Sequence, residues 1–309
     1  MSTQEASMKR ITMIGCGTIG ISWAAYFLAH GLQVTAFDPD DAARARFSDY
    51  VADDMRALGA DVRSPDIKDN LEDAVRQADL IVENAPESVA LKQQLLADIQ
   101  RAAMPHALIV SSTSSLMHSD IVNASPAPER IIIAHPFNPP HLVPLVELYG
   151  PDMQLVNELA DFYRGIGKKP VIMRKEMIGH IANRLSSALW QEALYLLQEG
   201  VASVEDIDLA VTAGPGLRWA IQGPFLTYHL GGGKGGIRHY LEHLGPSQEY
   251  RWASLGKPTM NAELYEQVIQ GVESATQGKP LTDLFNERDQ QLVTLQRAIA
   301  SKENQEVIA

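Results

Sequence analysis

The segment "RITMIGCGTIGISWAAYFLAHGLQVTAFDPD", residues 10–40, constrains this chain more than any other. A short run of apolar and β-branched residues breaks into a glycine loop. An apolar helical stretch follows and is closed by Gly31, and a second strand ends at an acidic turn. That is one βαβ unit. Gly15, Gly17 and Gly20 form G-x-G-x-x-G at the strand-to-helix junction, with Thr18 and Ile19 between the last two glycines. Missing side chains there let the backbone approach a pyrophosphate, whose charge faces the helix N-terminus. Asp38 closes the second strand at the spacing expected of a group that binds the adenine ribose. No arginine follows it immediately, which favours NAD over NADP. The motif by itself also fits a glycine-rich turn, and Asp38 a turn aspartate before Pro39.

Further strands are expected at "ADLIVENAPE", "ALIVSSTSS", "IIIAHPF", "VPLVELYG" and "KKPVIMRKE", with helical segments between several of them. The alternation predicts an α/β fold: an N-terminal Rossmann-type, doubly wound, mostly parallel sheet over 1–175, followed by an all-α domain over 176–309. In "IGHIANRLSSALWQEALYLLQEG", Ile181, Leu185, Leu189, Ala193 and Leu197 form an apolar stripe that a neighbour or partner subunit should bury, and Gly200 closes the segment. Ser203 and Asp206 have capping-box spacing, and the rest of the C-terminal half is helical by pattern.

With 38 acidic against 26 basic residues the net charge is −12, which argues against nucleic-acid or anionic-membrane partners. A single cysteine, Cys16, offers neither a disulfide framework nor a thiolate zinc site and fits a reducing cytoplasm. The start, "MSTQEASMKR", lacks the apolar core of a secretory signal and is expected to be a loose tail before Lys9. No apolar run approaches the ~20 residues of a membrane-spanning helix.

In an open α/β sheet, ligands bind outside the carboxyl ends of the strands. Three candidates appear in order: Ser114 follows "ALIVS", His135 follows "IIIA", and Glu147 sits within "VPLVEL". Oxidising an alcohol with NAD needs a base for the hydroxyl proton, and histidine, with an unperturbed pKa of about 6.5, can serve near neutral pH. A carboxylate on its far ring nitrogen would fix the tautomer and stabilise the imidazolium. Taken singly, His135 could equally be a packing residue beside prolines, and Glu147 the cap of a turn.

Through "SSTSSL", "HPFNPPHLVPLVE" and "GHIANRL" nearly the whole chain resembles the L-3-hydroxyacyl-CoA dehydrogenase family. The resemblance implies His135 as general acid/base, Glu147 as its partner, Ser114 and Asn183 on the substrate oxygen, and Glu87 and Lys92 of "ENAPESVALK" as cofactor contacts. It also implies a homodimer. Read without it, Ser114 is one of several loop serines and Asn183 a helix-surface amide. Where the acyl-CoA enzymes carry a lysine-rich helical insertion, this chain has the shorter, acid-rich "DDMRALGADVRSPDIKDNLEDAV". That weakens a CoA reading, because phosphates seek clustered cations. "GPGLRWAIQGPFLTYHLGGGKGG" is similar to the branch that handles L-carnitine and L-gulonate and includes lambda-crystallin. This implies a small 3-hydroxy acid as substrate, L-carnitine first, with L-gulonate, an L-3-hydroxyacyl-CoA or a crystallin-like structural role as alternatives. A quaternary ammonium acid would call for aromatic faces, for which Trp219, Phe225 and Tyr228 are candidates, and a basic anchor, Arg218. Taken residue by residue, ordinary packing between domains fits each of the four slightly better. "HYLEH", His239–His243, has a zinc-helix spacing but no third ligand, so no metal is expected. "GGGKGG" lacks the Ser or Thr and the feeding strand of a phosphate loop and reads as a flexible connection.

Overall fold

A computed structural model describes residues 8–306, with side chains through residue 300; the tail expected before Lys9 falls, but for Met8, outside the described residues. The chain runs β1 Arg10–Ile14, α1 Thr18–Ala29, β2 Gln33–Phe37, α2 Asp41–Ala57, β3 Asp66–Ile67, α3 Leu71–Val75, β4 Leu80–Glu83, α4 Val89–Ala102, β5 Leu108–Ser111, α5 His118–Ile121, β6 Ile131–Pro136, β7 Leu145–Tyr149, α6 Met153–Gly165 and β8 Lys169–Ile172. Helices follow: α7 Ala182–Gln198, α8 Val204–Thr212, α9 Pro215–Trp219, α10 Pro224–Gly231, α11 Gly236–Ser254, α12 Ala262–Thr276 and α13 Leu281–Glu306. Two compact units divide between Arg184 and Leu185, inside the first turn of α7.

In the first unit, eight strands form one sheet in the order β3-β2-β1-β4-β5-β6-β7-β8. Pairing is parallel from β3 to β6, antiparallel between β6 and β7, and parallel between β7 and β8. Strands β4, β5 and β6 are buried on both faces, so they read as continuous apolar runs whose successive residues serve opposite cores. Leu80 and Val82 of β4 join Trp23, Phe27, Phe47, Val51 and Tyr163 of α1, α2 and α6, while Ile81 joins Val75, Leu96, Ile99 and Ile121 of α3, α4 and α5. This is the doubly wound Rossmann arrangement expected from the alternation.

The second unit is helical. Gly200 ends its first helix at φ +65°, and Ser203 caps α8 by accepting from the Asp206 amide, as the spacing suggested. Three local features differ from the sequence reading. α7 begins at Ala182, leaving Ile181 outside it, because Gly179 and His180 both adopt positive φ and block helix propagation. α11 continues through Pro246 to Ser254 instead of stopping near Gly245. "GGGKGG" holds a 3-10 turn, Gly233–Gly235, before Gly236 at φ +59°. Among the described apolar side chains of this unit, Leu194, Tyr240 and Leu264 are buried, whereas Leu185, Trp190, Leu217, Phe225 and Trp252 are exposed. No described helix is long and apolar enough to cross a membrane.

Candidate active site

The nucleotide end of the site is built by β1, its glycine loop and α1. Gly15 sits at φ +101°, a conformation that L side chains rarely adopt. A Cβ on Gly20 would lie 2.0 Å from the Gly15 carbonyl oxygen, so α1 can pack this close to the loop only with glycine there. Gly17 faces open space and caps α1 without a side-chain hydrogen bond, and Thr18, Ile19 and the rest of the first turn bring no acid. By contrast, α2 and α6 are capped by their own aspartates, Asp40 and Asp152. The N-terminus of α1 therefore keeps its amides for an external anion, which fits the pyrophosphate of a dinucleotide. Asp38 accepts from the amides of Cys16 at 2.8 Å and Asp40 at 2.9 Å, which fixes its carboxylate at the end of β2. Arg44, unremarked in the sequence, bonds the Asp38 carbonyl at 2.6 Å and pairs with Asp41 at 2.5 Å. Cys16 is buried, which pushes its thiol up to about 12 and leaves it unreactive.

The reacting end lies at the carboxyl edge of β4, β5 and β6, around a cavity of about 400 Å³ lined in part by Ile19, Asn84, Glu87, Ser114, His135 and Asn183. A larger hollow of about 750 Å³ lies at the amino ends of β1 and β2, away from this edge. His135 and Glu147 face each other in the antiparallel register of β6 and β7, with His135 Nδ1 2.9 Å from Glu147 Oε2. The other oxygen, Oε1, accepts from the amides of Ile181 at 2.8 Å and Ala182 at 3.0 Å. Burial alone would raise the Glu147 pKa, but the hydrogen bonds from His135, Ala182 and Ile181 outweigh it and hold the group below the usual carboxylate range. An ionised Glu147 can only accept, so Nδ1 carries a proton, and in the neutral ring the lone pair is therefore on Nε2.

Ser114 does not stand alone. Glu87 Oε1 accepts from its amide at 2.5 Å and its hydroxyl at 2.9 Å, and Glu87 Oε2 accepts from the Thr113 hydroxyl at 2.7 Å. Burial alone would raise the Glu87 pKa, but these bonds outweigh it and hold the group below the usual carboxylate range, so it is ionised. Asn183 Nδ2 donates to the Ser114 carbonyl at 3.1 Å, leaving its amide oxygen beside the cavity. Lys92 is fully buried, and its ammonium reaches Glu83 at 2.7 Å and the Ala85 carbonyl at 2.9 Å, so it bonds the protein's own chain next to the cavity. Glu83 also accepts from Ser111 at 2.5 Å, joining the ends of β4 and β5. The sequence reading missed Glu83, although a carboxylate ending the apolar run "LIVE" was a visible sign of a buried partner.

Arg218, Trp219, Phe225 and Tyr228 belong to the second unit. Phe225 and Tyr228 line a mostly apolar cavity of about 580 Å³ there with Tyr240 and Trp252, whereas Arg218 and Trp219 do not line it. His239 and His243 stack at 4.0 Å on α11, with the His243 ring bonded to the His239 carbonyl.

Residues 10–177 match the 3-hydroxyacyl-CoA dehydrogenase NAD-binding domain, and residues 179–270 match the C-terminal domain of the same enzymes. The chain is 42% identical to an L-carnitine dehydrogenase of Streptomyces coelicolor, over 96% of each chain. It is also 42% identical to an L-carnitine dehydrogenase of Bacillus cereus, over 94% of this chain and 92% of the relative. Among solved structures, it resembles a 5-formyl-3-hydroxy-2-methylpyridine 4-carboxylic acid 5-dehydrogenase, described as an NAD+ dependent dismutase, with a TM-score of 0.82 and 28% identity over 95% of this chain and 99% of that one. The chain belongs to the 3-hydroxyacyl-CoA dehydrogenase family and is an NAD-dependent oxidoreductase.

Proposed function

We propose that this enzyme oxidises the C3 hydroxyl of a small 3-hydroxy acid to a ketone, and that the substrate is L-carnitine, giving 3-dehydrocarnitine. The observation that carries the chemistry is the buried His135–Glu147 pair, which engages Nδ1 of a ring lining the cavity and leaves Nε2 for the substrate. His135 takes the hydroxyl proton. Glu147 holds the ring in the tautomer that can accept it and balances the imidazolium that forms. Ser114 and Asn183 hold the substrate oxygen within reach of Nε2, so little motion separates the bound state from the reacting one. Gly15, Gly17, Thr18, Ile19, Gly20 and Asp38 hold NAD, which when bound accepts the hydride from C3. Glu87 and Lys92 shape the cofactor's side of the cavity, Glu87 by fixing Ser114 and Lys92 by fixing Ala85.

The choice of L-carnitine rests on the relatives named for that oxidation and on the acid-rich stretch from the end of α2 through α3, which offers no cation cluster for the phosphates of a CoA ester. Residues 1–175 serve as the NAD-binding domain and 176–309 as the substrate and dimerisation domain. Within the latter, the aromatic rings of Trp219, Phe225 and Tyr228 suit a quaternary ammonium, and Arg218 suits a carboxylate. The protein works as a homodimer in the cytoplasm. A partner copy would cover the exposed Leu185, Leu189 and Trp190 of α7. Purified protein with NAD is assayed in parallel on L-carnitine, L-gulonate and L-3-hydroxybutyryl-CoA by reduced-nicotinamide absorbance. Turnover of L-carnitine well above the other two is expected. Preference for either alternative overturns the substrate assignment, and silence with all three overturns the class of substrate.

A further inference from the structure

The turn between β8 and α7 carries a buried imidazole that the chemistry above does not use. His180 is 2% exposed, and its ring centroid lies 5.0 Å from that of His135. Its Nε2 is 3.0 Å from the Thr113 carbonyl oxygen, and because a carbonyl can only accept, this nitrogen carries a proton. Nδ1 is buried with no hydrogen-bond partner among the described residues, so it is the lone-pair nitrogen of a neutral ring. A second proton there would meet no acceptor. Burial first, and the neighbouring His135 charge with it, hold His180 below the usual histidine range, against the opposing pull of Thr113, Glu147 and Glu87.

The backbone singles out the same residue. His180 sits at φ +51°, directly after Gly179 at φ +72°. Glycine would occupy this left-handed position without strain, yet the chain places a ring there. The turn and the start of α7 also bond Glu147 and the Thr113–Ser114 loop. Ile181 and Ala182 donate to Glu147, Asn183 donates to the Ser114 carbonyl, and His180 donates to the adjoining Thr113 carbonyl.

We propose that His180 is a positioning residue for the dehydrogenation: its imidazole spaces the Thr113–Ser114 loop from His135, so that an oxygen held by Ser114 meets Nε2 of His135. The proposal rests on the roles given to His135 and Ser114 above. Because the spacer is uncharged, the positive charge gained by His135 during oxidation has Glu147 as its partner and no competing cation beside it.

Three variants separate positioning from folding. His180→Gly removes the ring and relieves the backbone. His180→Phe keeps a ring without its donor, and His180→Gln restores an uncharged N–H near the place of Nε2. The proposal expects His180→Gly to keep or raise the Tm and the NAD affinity while kcat falls about tenfold or more, the scale of one lost orienting hydrogen bond. His180→Phe should lose a similar factor in kcat with little change in the KM for NAD, and His180→Gln should recover most of it. The acid limb of log(kcat/KM) should have unit slope in wild type and in His180→Phe. Nitrogen-15 spectra of histidine-labelled protein should show one ring that titrates below the ordinary histidine range, stays Nε2-protonated while neutral, and is missing from His180→Phe.

Wild-type kcat in His180→Gly or His180→Phe would overturn the proposal, as would a glutamine variant no better than phenylalanine. A His180 ring that titrates at or above the ordinary histidine range in the spectra, which need no substrate, would overturn it too. His135→Ala is run alongside. Retained turnover there defeats the assignment of the base, whereas a silent His135→Ala beside a fully active His180→Phe defeats only the role of His180.

Discussion

Replacing Glu147 by glutamine isolates the electrostatic half of the His135–Glu147 pair, because the shape is kept and only the charge is lost. In wild type, oxidation generates an imidazolium whose Nδ1 lies 2.9 Å from Glu147 Oε2. With an effective dielectric of about 20, unit charges at that distance attract by roughly 6 kcal/mol. Delocalisation over both groups reduces the usable part to about half, which bounds the loss in kcat between ~10² and ~10⁴. Glutamine also lets its NH2 face Nδ1, favouring the tautomer in which Nε2 already carries the proton and cannot take another. Glu147 is 1% exposed and lies behind His135, outside the cavity lining, so the KM values for NAD and substrate should stay within about threefold. The assay is steady-state reduced-nicotinamide formation under saturation, with NAD affinity measured separately. A variant whose kcat stays within threefold of wild type across the pH range would refute the argument.

The depressed Glu147 pKa also makes a statement about stability. Its contribution is present above the unfolded value near 4.3 and is lost as pH falls through the lower folded value, so the Tm gap between wild type and Glu147→Gln should close below about pH 4. Lys168 runs the other way. Burial lowers its pKa to about 7, and its ammonium donates to the carbonyls of Pro140 and Val143 under the Tyr26 ring. The unfolded chain binds more protons between pH 7 and 10.5, so this group makes stability rise with pH across that window, by at most ~1.4 kcal/mol per unit, and Lys168→Met should flatten that rise in a pH series of Tm. Gly20→Ala drives a methyl into the Gly15 carbonyl and should weaken NAD binding by more than ~10²-fold in a calorimetric titration. Asp38→Ala should narrow the preference for NAD over NADP, and unchanged kcat/KM ratios for the two would remove Asp38 from that role.

The nucleotide half of the site was legible because glycine spacing and strand-to-helix order are local properties that a single segment displays. The His135–Glu147 pair was legible as two residue types, a histidine following one apolar run and a carboxylate within the next. What brings them together is the antiparallel step from β6 to β7, which sets residues 135 and 147 opposite each other and which a parallel reading of the sheet does not foresee. Glu83, Lys92 and His180 were harder, because each is identified by a partner that folding supplies. A buried carboxylate, a buried ammonium and a left-handed histidine look like ordinary residues until the neighbours that satisfy them are in place. The start of α7 shows the same limit. The apolar stripe running back to Ile181 suggests a longer helix, and only the backbone at Gly179 and His180 reveals a turn whose amides are needed by Glu147. In the second unit the helices were visible by period. The path of α11 through Pro246 was not, because proline there marks a break in isolated sequence but not in this helix.

One measurement tests the central claim most directly. L-Carnitine carrying deuterium at C3 is incubated with NAD and the purified enzyme, beside His135→Ala, and the nicotinamide product is examined by mass spectrometry. The account predicts one deuterium transferred per reduced nicotinamide with wild type and none above background with the variant. Reduced nicotinamide free of deuterium, or equal transfer by His135→Ala, would contradict it.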